Sequence, residues 1–248
     1  MNNSSMERII PEALVKGDIT GEETLRLHLD RYRFALDNIK PGRVLDIACG
    51  VGYGTHFLLK NGEEKISQII GCDISEFAID YAKKKYSNPK IIYVLKDAYE
   101  FSDAEGFDTI VSLETIEHLP DIEKFISNIS LMLRPGGKWI NSVPVTPTMD
   151  AIPFHLHDFT QDSFRRLFKR VGYQEINQLL QIQSFSPLRV LGRKEKRMES
   201  LRDNLLLYYV LNPRSLMKRI FSTFVNGFKN HYLTVVWEKI DTSNSFER

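Results

Sequence analysis

The residues best suited to chemistry in this 248-residue chain fall into two groups. The first is a glycine turn with acids around it: Asp46, Gly50, Gly52 and Gly54 within VLDIACGVGYG (44–54), then Asp73, Asp97 and Glu114. Glycine has no Cβ to clash at positive φ, so such a turn lets the backbone approach a ligand closely, and the N–H groups opening the next helix favour a nucleotide-sized occupant. Asp73, about 20 residues beyond the turn, is placed to accept hydrogen bonds from ribose hydroxyls. Asp97 and Ala98, an acid and a small residue, suit the edge of a purine. The second group is MDAIPFHLHDFT (149–160), which holds His155, His157 and Asp158, with His118 as a further candidate base. If the loop is extended, one histidine faces the site and Asp158 orients it for proton transfer. A competing reading has Asp158 or Thr160 capping the helix that begins at Gln161. Asp150, His155, His157 and Asp158 match no metal-ligand spacing well, and no metal is expected.

These residues need a scaffold, and the hydrophobic pattern supplies one. Thr20–Asn38 reads as a helix opened by a Thr20/Glu23 capping box, with Leu25, Leu29, Tyr32 and Leu36 facing inward. His28, Arg31 and Arg33 on its other faces read as solvated surface; the alternative is that the helix lies over the glycine turn and lends Arg31 or Tyr32 to a ligand. Apolar strands at 44–49, 68–72, 91–95, 107–113 and 137–143 alternate with helices at 53–61, 75–86 and 121–133. Strands rich in Val, Ile and Leu between amphipathic helices argue for a parallel sheet covered on both faces, a doubly wound α/β fold. In such sheets ligands bind beyond the carboxyl ends of the strands, where the strand order reverses. The glycine turn and the acids fall there, and acids after three successive strands would each carry a desolvation cost that packing alone does not explain.

Composition narrows the class. A 42% hydrophobic chain of this length buries one sizeable core, and a net charge of +1 gives no global argument for nucleic acid. Cys49 and Cys72 lie in apolar runs, as reduced, buried thiols of a cytoplasmic protein do. MNNSSMER has no apolar leader core, and its residues and the tail DTSNSFER are expected to be disordered. Residues 187–230 stand apart, with ten Lys/Arg against three acids.

With these residues assembled, the chain resembles the class I S-adenosylmethionine-dependent methyltransferases. VLDIACGVGYG, IIGCDIS (69–75), LKDAYEF (95–101), FDTIVSLETIEHL (107–119) and LMLRPGGKWINSVP (131–144) carry the likeness in family order. A nicotinamide-binding fold fits less well, because its G-x-G-x-x-G is not met when the third glycine comes one residue early. The resemblance implies a mostly parallel seven-stranded sheet whose last strand is antiparallel, with Tyr173–Gln183 and His231–Ile240 as the final strands and a helical insert between them. It places Asp46 and the Gly50/Gly52/Gly54 backbone beside the methionine part of S-adenosyl-L-methionine, Asp73 at the ribose, Asp97 and Ala98 at the adenine, and Glu114 and His118 at the methyl-transfer face; Tyr32 and Ile74 are further candidate cofactor contacts. S-adenosyl-L-homocysteine would be the product.

Residues 1–248 are read as one domain: 1–40 a helical cover, 41–186 the cofactor core, 187–230 the basic insert and 231–240 the last strand. Similarity to methyltransferases of glycan assembly, in HLDRYRFA, ETIEHL and FHLHDFT, points to O-methylation of a sugar or polyol in glycan or secondary-metabolite biosynthesis. An amine, a tRNA, a protein acceptor, or a cofactor-binding scaffold without activity are the alternatives. In the insert a helix over 215–229 gathers Leu216, Ile220, Phe221, Phe224, Val225 and Phe228 on one face. That face is expected to pack on the sheet edge or on a second subunit. The alternatives are a lid gripping a phosphorylated or lipid-linked acceptor, and an amphipathic contact with an anionic membrane.

Overall fold

The computed structural model describes residues 9–14, 19–185 and 204–240. Seven strands form one sheet: β1 Gly42–Ile47, β2 Ile66–Asp73, β3 Ile91–Leu95, β4 Phe107–Leu113, β5 Leu133–Pro144, β6 Tyr173–Ser184 and β7 Lys229–Lys239. Their order is β3-β2-β1-β4-β5-β7-β6, parallel except that β7 runs antiparallel to both β5 and β6. The chain builds outward from β1 through β2 and β3, then returns to the other side of β1 as β4. The order therefore reverses between β1 and β4, where the register pairs Val44 with both Ile69 and Thr109.

The two faces of the sheet explain the continuous apolar strands. Val44, Ile69, Val111, Ile140 and Val236 point to one side, under helices α1 (Ile19–Asn38), α2 (Tyr53–Asn61) and α3 (Glu76–Lys85). Leu45, Ile47, Ile70, Ile110 and Trp139 point to the other, under α4 (Ile122–Met132) and α5 (Gln161–Arg170). Alternate residues thus feed separate cores, which is why no polar face breaks the runs. On the second side Phe164, Phe168, Tyr173 and Trp237 pack around Trp139, and the indole N–H groups are satisfied by Ser112 and Asn141.

Local boundaries differ from the sequence reading for identifiable reasons. Strand β1 stops at Ile47 because Ala48 turns to φ +61°. Helix α1 starts at Ile19, so Thr20 sits inside the first turn and is not its N-cap; its carbonyl accepts from the Thr24 hydroxyl. Among the described residues between the last strands lie two helices, α6 (Leu205–Leu211) and α7 (Pro213–Asn226). Helix α7 ends before Phe228 because Gly227 takes φ +65° and releases the chain into β7.

The apolar face of α7 does not pack on the sheet. Its basic side is turned inward, with Arg219 on Asp150 and Lys218 near Asp158, while Ile220, Phe221, Phe224 and Val225 are exposed, Phe224 to 88%. Leu206, Val210 and Leu211 of α6 are exposed as well. The RKEKRMESLR stretch and both expected disordered ends fall outside the described residues. Among the described residues no helix is long and apolar enough to cross a membrane.

Candidate active site

The glycine turn after β1 is shaped by packing as much as by any ligand. Gly50 and Gly52 adopt φ +57° and +80°, and Gly52 caps the N-terminus of α2 from the left-handed region. A Cβ on Gly52 would lie 2.7 Å from that of Ala82, and one on Gly54 would lie 1.9 Å from Cζ of Tyr32. Tyr32 therefore sits directly against the turn, and its hydroxyl donates to Asp46 at 3.3 Å. The Thr55 hydroxyl donates to the same carboxylate at 2.6 Å. Burial pushes the Asp46 carboxyl up from its ordinary 3.8 to about 7; the Thr55 and Tyr32 hydroxyls oppose the rise, and the charge of Asp73 adds to it.

Asp73 closes the turn from β2. One of its oxygens accepts from the Gly50 amide and the other from the Ser75 amide, each at 2.8 Å. Its carboxylate is thus fixed at the end of β2, with Ile74 projecting beside it into solvent. Asp97, beyond β3, accepts from the Tyr99 amide at 2.8 Å, and Asn128 holds the Ala98 carbonyl at 2.9 Å. Glu114, past β4, takes φ +49° and accepts from the Ser142 hydroxyl at 2.7 Å. A positive φ on a non-glycine residue is strained backbone, of the kind that clusters at binding sites. The carboxyl ends of β1, β2, β3 and β4 therefore present fixed acids along one edge of the sheet.

At the ends of β4 and β5 the histidines separate by role. The 3₁₀ turn Ile116–His118 is tied to the loop after β5 by the Leu156 amide, which donates to the Glu117 carbonyl at 2.7 Å. This brings Glu117, His118 and His155 together, with one ligand-capable atom from each lying within 4.8 Å of the others. Glu117 is completely buried and His155 nearly so. His157 instead places Nε2 2.8 Å from the Leu119 carbonyl. Asp158 orients neither histidine: it accepts from the Thr148 and Met149 amides, and Thr160 caps α5. His155 is held by Thr148, whose Oγ1 lies 2.6 Å from Nδ1.

Sequence reasoning missed two elements of this region. Glu117 stood in the quoted ETIEHL stretch, but nothing in its spacing foretold that His155 would come to meet it. The second element is a clamp from the insert. Arg219 donates to Asp150 at 2.7 Å and to the Pro147 carbonyl, and the Tyr209 hydroxyl donates to Asp150. Burial pushes the Asp150 carboxyl up, but Arg219 and Tyr209 outweigh it and hold it below its ordinary value. Arg31, at 1% exposure, donates to Gln181 and lies 4.9 Å from the ring centre of Tyr232, with no acceptor for its Nε among the described residues.

Residues 45–141 match the family model described as a methyltransferase domain, and this span runs from the glycine turn through the acids at the ends of β2, β3 and β4. Over that span the chain is similar to a methyltransferase domain. A ubiquinone biosynthesis O-methyltransferase of Coxiella burnetii is 36% identical over 103 residues, which cover 40% of this chain and 42% of that protein. Less than half the length of this curated relative is therefore spanned. A methyltransferase structure from Bacillus halodurans has a TM-score of 0.66 at 14% identity, covering 86% of this chain and 98% of its own. The N-methyltransferase NodS of Bradyrhizobium japonicum, solved with S-adenosyl-L-homocysteine, has a TM-score of 0.60 at 17% identity, covering 96% and 98%. These two structures share the fold of this chain.

Proposed function

We propose that this methyltransferase transfers the methyl group of S-adenosyl-L-methionine to a hydroxyl of a small molecule, a sugar or polyol carried on a lipid. The observation that carries the hydroxyl acceptor is the Glu117–His118–His155 cluster, since an amine needs only to be neutral whereas a hydroxyl must lose a proton. Asp73 takes the ribose hydroxyls, Asp97 and Ala98 the adenine, and Asp46 with the turn amides the methionine end, while Tyr32 acts from behind by holding Asp46. As the methyl carbon passes in line to the acceptor oxygen, the carbon–sulfur bond breaks, its electron pair stays on sulfur, and the acceptor proton leaves toward the histidine cluster. The protein's main contribution is alignment, for which positioning alone is worth roughly 7 to 11 kcal/mol.

The lipid carrier rests on α6 and α7. Between residues 204 and 230 there are four Lys/Arg and no acid, and the apolar side chains face outward. Arg219 is held by Asp150, but the outward apolar side chains with the exposed Arg214 and Lys229 beside them fit an anionic bilayer, from which a lipid-borne acceptor would be presented. The test is incubation with methyl-labelled donor and a cell extract split into water-soluble metabolites, lipids and RNA. Label is expected in the lipid fraction, as an ether stable to mild base, and absent with Asp73→Ala. Label in the water-soluble fraction would remove the lipid carrier, and label as a methylamine would remove the hydroxyl.

A further inference from the structure

We infer that Arg219 is a positioning residue for methyl transfer: from α7 it fixes the loop after β5 and, through Thr148, the ring of His155. The inference rests on the hydroxyl-methylation reading, in which the acceptor proton leaves toward that ring, and deepens it by giving the insert a part in the reaction.

Residues 145–160 contain no helix or strand, so their course depends on the contacts they make. Beyond His155 the loop is tied down by the Leu156 and His157 amides, which both donate to the Glu117 carbonyl. Before it, the chain turns tightly: the Thr148 carbonyl accepts from the Ala151 and Ile152 amides, and the His155 amide donates to the Ile152 carbonyl at 3.1 Å. The His155 ring leans back on this turn, with Nδ1 2.6 Å from Oγ1 of Thr148, and both side chains are buried. Whichever partner holds the proton, the rotation of the ring follows the position of Thr148.

Arg219 grips the turn on both sides of Thr148. Its Nε donates to Asp150 at 2.7 Å and its Nη2 to the Pro147 carbonyl at 2.6 Å, with a further bond from Nη2 to the other Asp150 oxygen. A planar guanidinium fork spans these points at once, which the single ammonium of a lysine does not. The Tyr209 hydroxyl donates to the same carboxylate, so both helices of the insert end on this turn. Within the loop, Asp158 holds the Thr148 and Met149 amides.

The pair is better suited to fixing geometry than to holding the helices down. An ion pair that is largely out of water adds little net stability once desolvation is counted; what it supplies is one arrangement of its partners. Asp150 is 3% exposed, and the hydrogen bonds it accepts run to α6 and α7. An amphipathic helix ordinarily buries its apolar face, yet α7 leaves Phe221 and Phe224 outside and turns Arg219 to the loop. The orientation of the whole helix thus serves the segment that carries Thr148 and His155.

The test compares the whole chain with Arg219→Met, Arg219→Lys and the double variant Asp150→Asn with Arg219→Gln, which leaves no buried charge unpaired. Binding of S-adenosylhomocysteine should be unchanged in each and shows that they are folded; if Arg219→Met fails to bind it, the double variant carries the same readings. Rates are taken at saturating labelled donor, with the lipid fraction of a cell extract as acceptor at serial dilutions. The maximal rate should fall about 10- to 100-fold in Arg219→Met, as a shift of about 1 Å in a reacting group does, with the half-saturating dilution nearly unchanged. Arg219→Lys should recover part of the rate. The decisive reading needs no acceptor: the imidazole nitrogen resonances of His155, assigned by their loss in His155→Gln, should move in Arg219→Met and titrate differently with pH, while those of His28 and His56 stay in place. Unmoved His155 resonances in a variant that binds S-adenosylhomocysteine overturn the inference even where the rate falls, and so does a full rate in Arg219→Met. If the label enters as a methylamine, the hydroxyl reading falls, and the resonances still decide whether Arg219 positions the ring.

Discussion

Replacing Asp46 by Asn removes a carboxyl that the fold drives toward neutrality. In the wild type that carboxyl is buried under Tyr32 and Thr55 and is raised from 3.8 to about 7. A raised carboxyl means that the folded chain holds its proton more tightly than the unfolded chain. Its favourable contribution is complete below pH 4, declines as pH rises through the interval to about 7, and is gone above it. The size of the rise corresponds to on the order of 4 kcal/mol, accumulating at about 1.4 kcal/mol per pH unit. Asn is nearly the same shape and has no proton to lose, so the variant lacks this pH dependence while the rest of the chain titrates unchanged. Urea unfolding of both proteins, without cofactor, from pH 4 to 8 gives the difference directly. The Asn variant should gain on the wild type steadily across the interval and level off near neutrality. A difference that stays flat, or that runs the other way, would refute the claim that desolvation governs Asp46.

Two further substitutions test the packing around the site. Gly54→Ala puts a methyl group 1.9 Å from the Tyr32 ring and is expected to cost about 1 to 3 kcal/mol, with weaker cofactor binding. Adding Tyr32→Ala should recover part of that loss in the unfolding assay, and strictly additive losses would mean that the ring is not the obstacle. Asp150→Ala strands the Arg219 guanidinium and should cost about 2 kcal/mol, below the roughly 3 to 5 kcal/mol of a fully buried pair because the Arg219 side chain keeps 30% exposure. Hydrogen exchange should then quicken in α6 and α7 but not in β1 to β5, and unchanged protection of the two helices would show that Asp150 does not pin them.

The chain's own residues determined more of the donor side than of the acceptor side. Continuous Val/Ile/Leu strands, a glycine turn and acids at the strand ends are local features with fixed periods, so the doubly wound sheet and the edge carrying Asp46, Asp73, Asp97 and Glu114 were readable in order. Even the antiparallel last strand followed from the family resemblance and is seen in β7. What depends on distant segments meeting was not readable. Glu117 and His155 are brought together by a backbone bond across the ends of β4 and β5, and neither position announces the other. His157, two residues away, looked equivalent and is turned to the Leu119 carbonyl instead. The insert shows the same limit from the other direction. Its amphipathic period was visible, but periodicity says only that a helix has two faces. Which face turns inward was decided by Asp150, an acid on another loop that holds Arg219 and leaves the phenylalanines outside. Local pattern sets what each segment can be, whereas the pairing of charges across the fold sets which way it points.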